Sequence, residues 1–457
     1  MNYLPHTEGD RRAMLDSIGL KKSEELYSSI PKELKIEKLD LPAPKSEWEV
    51  TKELSALAAK NRSASQMAHF IGAGSYHRFI PSAVDAILSR SEYYTAYTPY
   101  QPEISQGTLQ GIYEFQSMMC LLTGMDVSNA SMYDGASAAA EAALMATRAT
   151  NKKKILVSTT LHPEWRQVIS TYAEGMAIEI EESGYENGLL SAGTVEKIFT
   201  DDFAGLVLSC PNFFGGIEDL RAIAEIVHAK GGLLIVAADP VALALLEAPG
   251  NCGADIVVGD GQSLGSPMSF GGPSFGFMTT KDKLARQLPG RIVGATVDSR
   301  GEKVYTLTLQ TREQHIRREK ATSNICSNQG LNALAATMYL SLLGKEGLRQ
   351  VANLSIQGAH HLADRIAEIP GMKMKFDSPF FQEFVVQSNL PLEEVFAELE
   401  KFDVLPGVRL ETWYPELKNC FLTCVTETNS EAEIERFIEV LEGIHQRKEF
   451  KQNLCLK

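Results

Sequence analysis

Three places where apolar runs end on polar or small residues could do chemistry. Residues 253–278, GADIVVGDGQSLGSPMSFGGPSFGFM, read as a strand, a loop of small polar residues, Gly-Gly-Pro and a second strand. Asp255 opens the first strand and Ser263 follows it by eight. A lysine just beyond such a strand can hold a carbonyl cofactor as a Schiff base. No lysine occurs between Gly231 and Thr280, and a serine hydroxyl cannot replace the amine. The second place is Ile235-Val-Ala-Ala-Asp239-Pro, where a carboxylate closes an apolar run. It could pair with a protonated ring nitrogen, or it could start a turn before proline. The third is SMYDGASAAAEAALMATRA, residues 131–149, in which Asp134, Gly135, Ala136 and Ser137 open a helix of small residues. Free N–H groups at such a helix start can cradle a phosphate. The same small residues would equally let a helix pack closely on a sheet.

Two further segments are dense in polar and aromatic groups. IGAGSYHRFIP, residues 71–81, sets Ser75, Tyr76, His77 and Arg78 behind two glycines. His77 has the titration range of a proton relay, although a histidine bonded for structure is the commoner case. Arg78 could anchor a carboxylate or form a surface ion pair of little worth. YTAYTPYQPEISQGTLQGIYEF, residues 94–115, gathers Tyr94, Tyr97, Tyr100 and Gln101 before a helix begins near Gly107. Tyrosine brings a flat apolar face and a hydroxyl together, which suits a recognition loop; a loop that merely wraps the domain is the competing reading. The lone Gly-Ala-Gly lacks the preceding strand and following acid of a dinucleotide fingerprint.

These residues need a scaffold, and the pattern supplies one. Between about Phe70 and Gln310, helices alternate with apolar runs such as KKILVSTT, FAGLVLSCP, GLLIVAAD and ADIVVGD. Val, Ile and Leu with little polar alternation predict strands buried on both faces of a mostly parallel sheet. Residues 1–65 read as a helical arm, 66–327 as a large α/β domain and 328–457 as a small α+β domain led by a long helix. The 457 residues carry a formal net charge of −14, which argues against a general nucleic-acid binder. No stretch approaches the roughly 18 apolar residues of a membrane span, and MNYLPHTEGDRRAML is no secretory signal. Seven scattered cysteines without a Cys-x-x-Cys pair suggest a reduced, cytoplasmic protein with no metal site.

GAGSYHRFIP, YTPYQPEISQGTLQ, YDGASAAAEA and DIVVGDGQSLGSPMSFGGPSFG, in that order, resemble the alpha subunit (subunit 1) of the split glycine dehydrogenase (decarboxylating), the P-protein of the glycine cleavage system. The resemblance covers nearly the whole chain. It implies an α/β, type I pyridoxal-phosphate-dependent (aspartate aminotransferase-like) fold. In the catalytic subunit a lysine stands eight residues after the strand's aspartate, and here that position is Ser263. Asp239 matches the pyridine partner, Asp134, Gly135 and Ala136 match the phosphate cup, and His162 resembles a ring-contacting residue. The resemblance therefore implies a degenerate site with no covalently bound cofactor. Pyridoxal phosphate would sit on a partner beta subunit in an α2β2 assembly, with glycine as substrate and the lipoyl arm of H-protein as acceptor. Tyr97, Thr98, Tyr100 and Gln101, with Ser75 and His77 behind them, would line the glycine or lipoyl pocket in trans. Two other readings stand beside this one: a non-catalytic docking platform for H-protein, and an independent enzyme using Lys281 or Lys283. The latter two lysines follow a strand at what reads as a helix start, the wrong place for a Schiff base.

Overall fold

The computed structural model describes residues 5–36, 39–63, 66–325 and 327–455, with backbone alone beyond 446. It divides the chain into two units, 1–62 and 63–457. The first carries helices at Glu8–Ser17 and Glu47–Ala58, each started by a reciprocal cap: Thr7 with Asp10, and Ser46 with Glu49. Both caps satisfy backbone N–H groups that a helix start leaves open. No residue of either helix is buried within the chain.

The second unit is built around a seven-stranded sheet. Its strands are β2 (Val127–Ser128), β3 (Lys154–Ser158), β4 (Glu179–Ser183), β5 (Phe203–Ser209), β6 (Leu233–Ala237), β7 (Ile256–Asp260) and β8 (Gly276–Thr280), after a short β1 (Ala68–His69) outside it. They lie in the order β2-β8-β7-β6-β5-β3-β4. The pairs from β4 to β7 are parallel; β8 runs antiparallel to both β7 and β2. All seven residues of β5 are buried. Strand alternation explains how: Leu206, Leu208, Leu234, Val236 and Val257 point into one core, and Val207, Ile235, Ala237, Ile256 and Val258 into another. The edge strand β4 alternates Ile180 with Glu179, Glu181 and Glu182 and is the most exposed, which blunts an open edge. The alanine-rich helix Gly135–Thr150 contributes Ala138, Ala139, Ala142, Ala143 and Ala146 to the second core.

An antiparallel hairpin, β9 (Ile292–Val297) with β10 (Lys303–Thr308), follows the sheet. The sequence reading did not resolve it, although Gly301 at φ 83° marks its turn. The Gly330–Ala367 helix is interrupted at Gly344, where φ is 59°. It leads to a four-stranded antiparallel sheet of β11 (Met372–Met374), β12 (Glu383–Ser388), β14 (Val408–Arg409) and β15 (Cys420–Cys424) in the order β11-β12-β15-β14. Strand β13 (Val404–Leu405) pairs instead with β1, which ties the segment entering the large sheet to the small one. Among the described residues no helix is long and apolar enough to cross a membrane, and no cluster of His, Cys, Asp and Glu could hold a metal. Cys420 and Cys424 are free thiols in β15; Cys326 lies outside the described residues.

Candidate active-site cleft

The carboxyl ends of β5, β6 and β7 open on a cleft of about 700 Å3, including its mouth. This is where open α/β sheets bind ligands, because the loops there converge on helix starts. Strand β12 of the small sheet closes the other side.

Asp239 follows β6 directly. Its Oδ1 accepts the Val241 N–H at 2.9 Å and its Oδ2 accepts Gln382 Nε2–H at 3.0 Å. The Gln382 carbonyl oxygen in turn accepts from Arg78 Nη2 at 2.6 Å. Arg78 is no surface cation: its side chain is 1% exposed, and Nη1 pairs with Glu427 at 2.6 Å and donates to Ser355 at 2.9 Å. Apolar surroundings exclude water from this ion pair, so the surface reading of Arg78 is corrected. Burial raises the Asp239 carboxyl above its ordinary range, with the Arg78 charge opposing.

Asp134 caps the Gly135–Thr150 helix by accepting the Ser137 N–H at 2.7 Å. The first helical N–H, from Gly135, donates to Asp260 Oδ2 at 3.0 Å. Asp260 ends β7; its Oδ1 accepts the Gln262 N–H at 2.9 Å and the Ser274 hydroxyl. Burial raises the Asp260 carboxyl, and the nearby Asp134 adds to the shift. Gly135 is pressed between the Trp165 ring and the Asp260 backbone, where a Cβ would collide with both. Ala136 is half-buried beside it. The helix start is thus occupied by the chain's own carboxylates, and an anionic phosphate there would meet like charge.

Ser263 lies just past β7, lines the cleft and is 3% exposed. Its neighbour Gln262 clamps the 71–81 segment: the side-chain oxygen accepts the Tyr76 N–H at 2.8 Å, and Nε2 donates to the carbonyls of Tyr76 at 3.0 Å and Ser266 at 2.8 Å. His162 Nε2–H donates to the Ala73 carbonyl at 3.0 Å, Nδ1 accepts the Glu164 N–H at 3.2 Å, and the ring meets Phe213 edge-on at 4.9 Å. Burial lowers the His162 pKa, in keeping with a neutral imidazole that donates from one nitrogen and accepts at the other. Opposite, Glu383 Oε1 accepts the Ala73 N–H at 2.6 Å and Oε2 accepts the Tyr76 hydroxyl at 2.8 Å. Burial pushes the Glu383 carboxyl up to about 7, and those hydrogen bonds resist it. Gly72 permits this approach, since a Cβ there would strike the Glu383 carboxylate and Cys424.

The remaining anticipated residues lie elsewhere. Ser75 is exposed, and His77 Nδ1 meets Thr428 Oγ1 at 3.1 Å. Tyr97 and Thr98 line a second hollow with Tyr93, Tyr94, Asn328 and Leu334, which shares no lining residue with the first. Tyr97 is 79% exposed; the Tyr100 hydroxyl accepts from Arg291 Nη2 at 3.0 Å, and Gln101 is exposed. Lys281 and Lys283 approach Asp255 within 3.6 and 3.3 Å, at the amino end of β7 and so at the opposite end from Ser263. Glu383, Gln382, Glu427 and Asp260 escaped the sequence reading. A carboxylate inside the apolar run FFQEFVV, and a second aspartate at the far end of the β7 run, were the available signals.

The profile of the glycine cleavage system P-protein family matches residues 1–441. The chain belongs to that family. A relative from Desulforamulus reducens named probable glycine dehydrogenase (decarboxylating) subunit 1 is 53% identical over 436 residues, covering 95% of this chain and 98% of its own. A similarly named protein from Carboxydothermus hydrogenoformans is 50% identical, over 97% of this chain and all of its own. A crystal structure of glycine decarboxylase (P-protein) of the glycine cleavage system, in inhibitor-bound form, superposes with a TM-score of 0.89 at 43% identity, across 97% of this chain and 100% of that one. A sphingosine-1-phosphate lyase from Burkholderia pseudomallei, at 15% identity and a TM-score of 0.64, shares the fold alone. The fold is that of type I pyridoxal-phosphate-dependent enzymes, and the chain is a subunit of a glycine decarboxylase.

Proposed function

We propose that this P-protein chain holds no cofactor of its own and completes the active site of a lysine-bearing partner subunit in an α2β2 assembly of the cytoplasm. The observation that carries this reading is Ser263, buried at the cleft position where a Schiff-base lysine would stand. The carboxylates of Asp134 and Asp260 at the helix start support it, because the residues present do not fit a phosphate-bearing cofactor. When bound on the partner, pyridoxal phosphate serves as the electron sink for glycine decarboxylation. This chain's contribution is to orient groups and exclude water, and the aminomethyl group passes on to the lipoyl arm of H-protein. The exposed Tyr94, Tyr97 and Tyr100 are the side chains available to reach across to the partner.

The experiment is an absorption spectrum of the chain with excess pyridoxal phosphate, alone and with its partner, followed by borohydride trapping and peptide mapping. No adduct on this chain, with glycine–bicarbonate exchange in the pair only, is the expected outcome. An adduct on a lysine of this chain together with turnover would sink the proposal.

A further inference from the structure

The degenerate cleft has kept its volume and lost the means to bind a phosphate, and what lines it has a chemistry of its own. Three carboxylates, Asp239, Asp260 and Glu383, face it, and among its described lining residues there is neither lysine nor arginine. The nearest cation, Arg78, reaches Asp239 only through Gln382 and is committed to Glu427. The Ser263 hydroxyl, in a residue 97% buried, has no hydrogen-bond partner among the described residues, although it lines the cavity. A buried hydroxyl without a partner costs stability unless something arrives to bond it. The apolar wall is aromatic: His162 and Phe213 meet edge to face at 4.9 Å, with Trp165 beside them at 6.3 Å from His162. Aromatic faces attract cations. The carboxylates do not cluster as a metal would require, so their spread suits a cation larger than an ion.

We propose that the cleft is a binding site for a small, flat organic cation that carries no phosphate, such as a ring bearing an ammonium group. Asp239 and Asp260 supply the charge, the Ser263 hydroxyl gives a directed hydrogen bond, and His162, Phe213 and Trp165 give the flat wall. The site takes the cation because it brings buried carboxylates the counter-charge they lack. It refuses a phosphate because the Gly135 N–H that would receive one already donates to Asp260. The inference is independent of how the partner's site works.

Three probes of one shape and different charge test it: benzylammonium, benzyl alcohol and phenyl phosphate, titrated calorimetrically into the two-chain assembly and into the full chain alone. Saturable binding of benzylammonium is expected, about tenfold weaker for the alcohol and absent for the phosphate. Asp239→Asn should weaken benzylammonium about tenfold. Ser263→Ala, which removes one unbonded hydroxyl and leaves the fold alone, should weaken it by a smaller factor. Phenyl phosphate binding as tightly as benzylammonium overturns the proposal. So does binding indifferent to Ser263→Ala, or no benzylammonium binding at millimolar concentration in either preparation. Glycine–bicarbonate exchange in the same assembly reports separately on the partner's site, so the two readings fail independently.

Discussion

At the residue scale, the buried acids set how stability depends on pH. Glu383 and Glu218 each titrate near 7 in the folded chain against an ordinary 4.5, because burial disfavours their charged forms. Between those values the folded protein holds protons that the unfolded chain has released. The stability these groups contribute is therefore fully present below about pH 4.5 and lost as pH rises through about 7. Thermal midpoints measured from pH 5 to 8 should fall with rising pH, and Glu383→Gln should flatten the slope, leaving the part due to Glu218. A slope unchanged in the variant would mean that Glu383 ionises freely. The Arg78–Glu427 pair is the opposite case, a buried charge that must keep its partner. Arg78→Met leaves the Glu427 carboxylate buried alone and should cost about 3–5 kcal/mol in urea unfolding. Gly72→Ala drives a methyl into Glu383 and Cys424 and should cost about 1–3 kcal/mol by the same measurement.

At the element scale, strand β7 separates the acidic and basic candidates by its length. Ser263 lies beyond its carboxyl end, while Lys281 and Lys283 meet Asp255 at its amino end. Substituting either lysine by alanine should leave the reconstituted exchange rate unchanged, whereas the tyrosine segment should not be silent. Tyr97→Phe with Tyr100→Phe is expected to lower that rate about tenfold or more, and an unchanged rate removes the segment from the site. Much of this scale was legible in the chain. β5, β6 and β7 announced themselves as unbroken apolar runs because both of their faces are buried. The β9–β10 hairpin did not, since its residues alternate across a partly exposed ribbon and VGATVDSRG reads as loop. The Gly135 helix start was legible as an anion cradle. That Asp260 occupies it was not, because the two residues are 125 positions apart and meet only when β7 lies beneath the helix.

At the scale of the whole molecule, the chain presents surface that its own core does not use. Residues 1–62 include Leu26, Leu34, Leu39, Leu41, Trp48 and Leu54, all more than half exposed, and the large unit presents Tyr94, Tyr97 and Ile104. Exposed apolar surface on this scale marks contact with another chain. Mixing with the partner subunit should raise this chain's thermal midpoint, by the equivalent of about 2.7 kcal/mol at a hundredfold excess over Kd. No shift at any ratio would argue for a self-sufficient chain.

The amino-acid sequence by itself determined the class of fold, the family and the absence of a lysine where a Schiff base would form. Each depends on the order and type of residues along the chain, and burial on both faces of a sheet leaves a local pattern. Only the tertiary structure decided what the cleft contains. Arg78 and Glu427, Asp239 and Gln382, Glu383 and Tyr76 are each separated by more than a hundred residues. Whether a charge is solvated or buried depends on what folds over it, and no local pattern carries that.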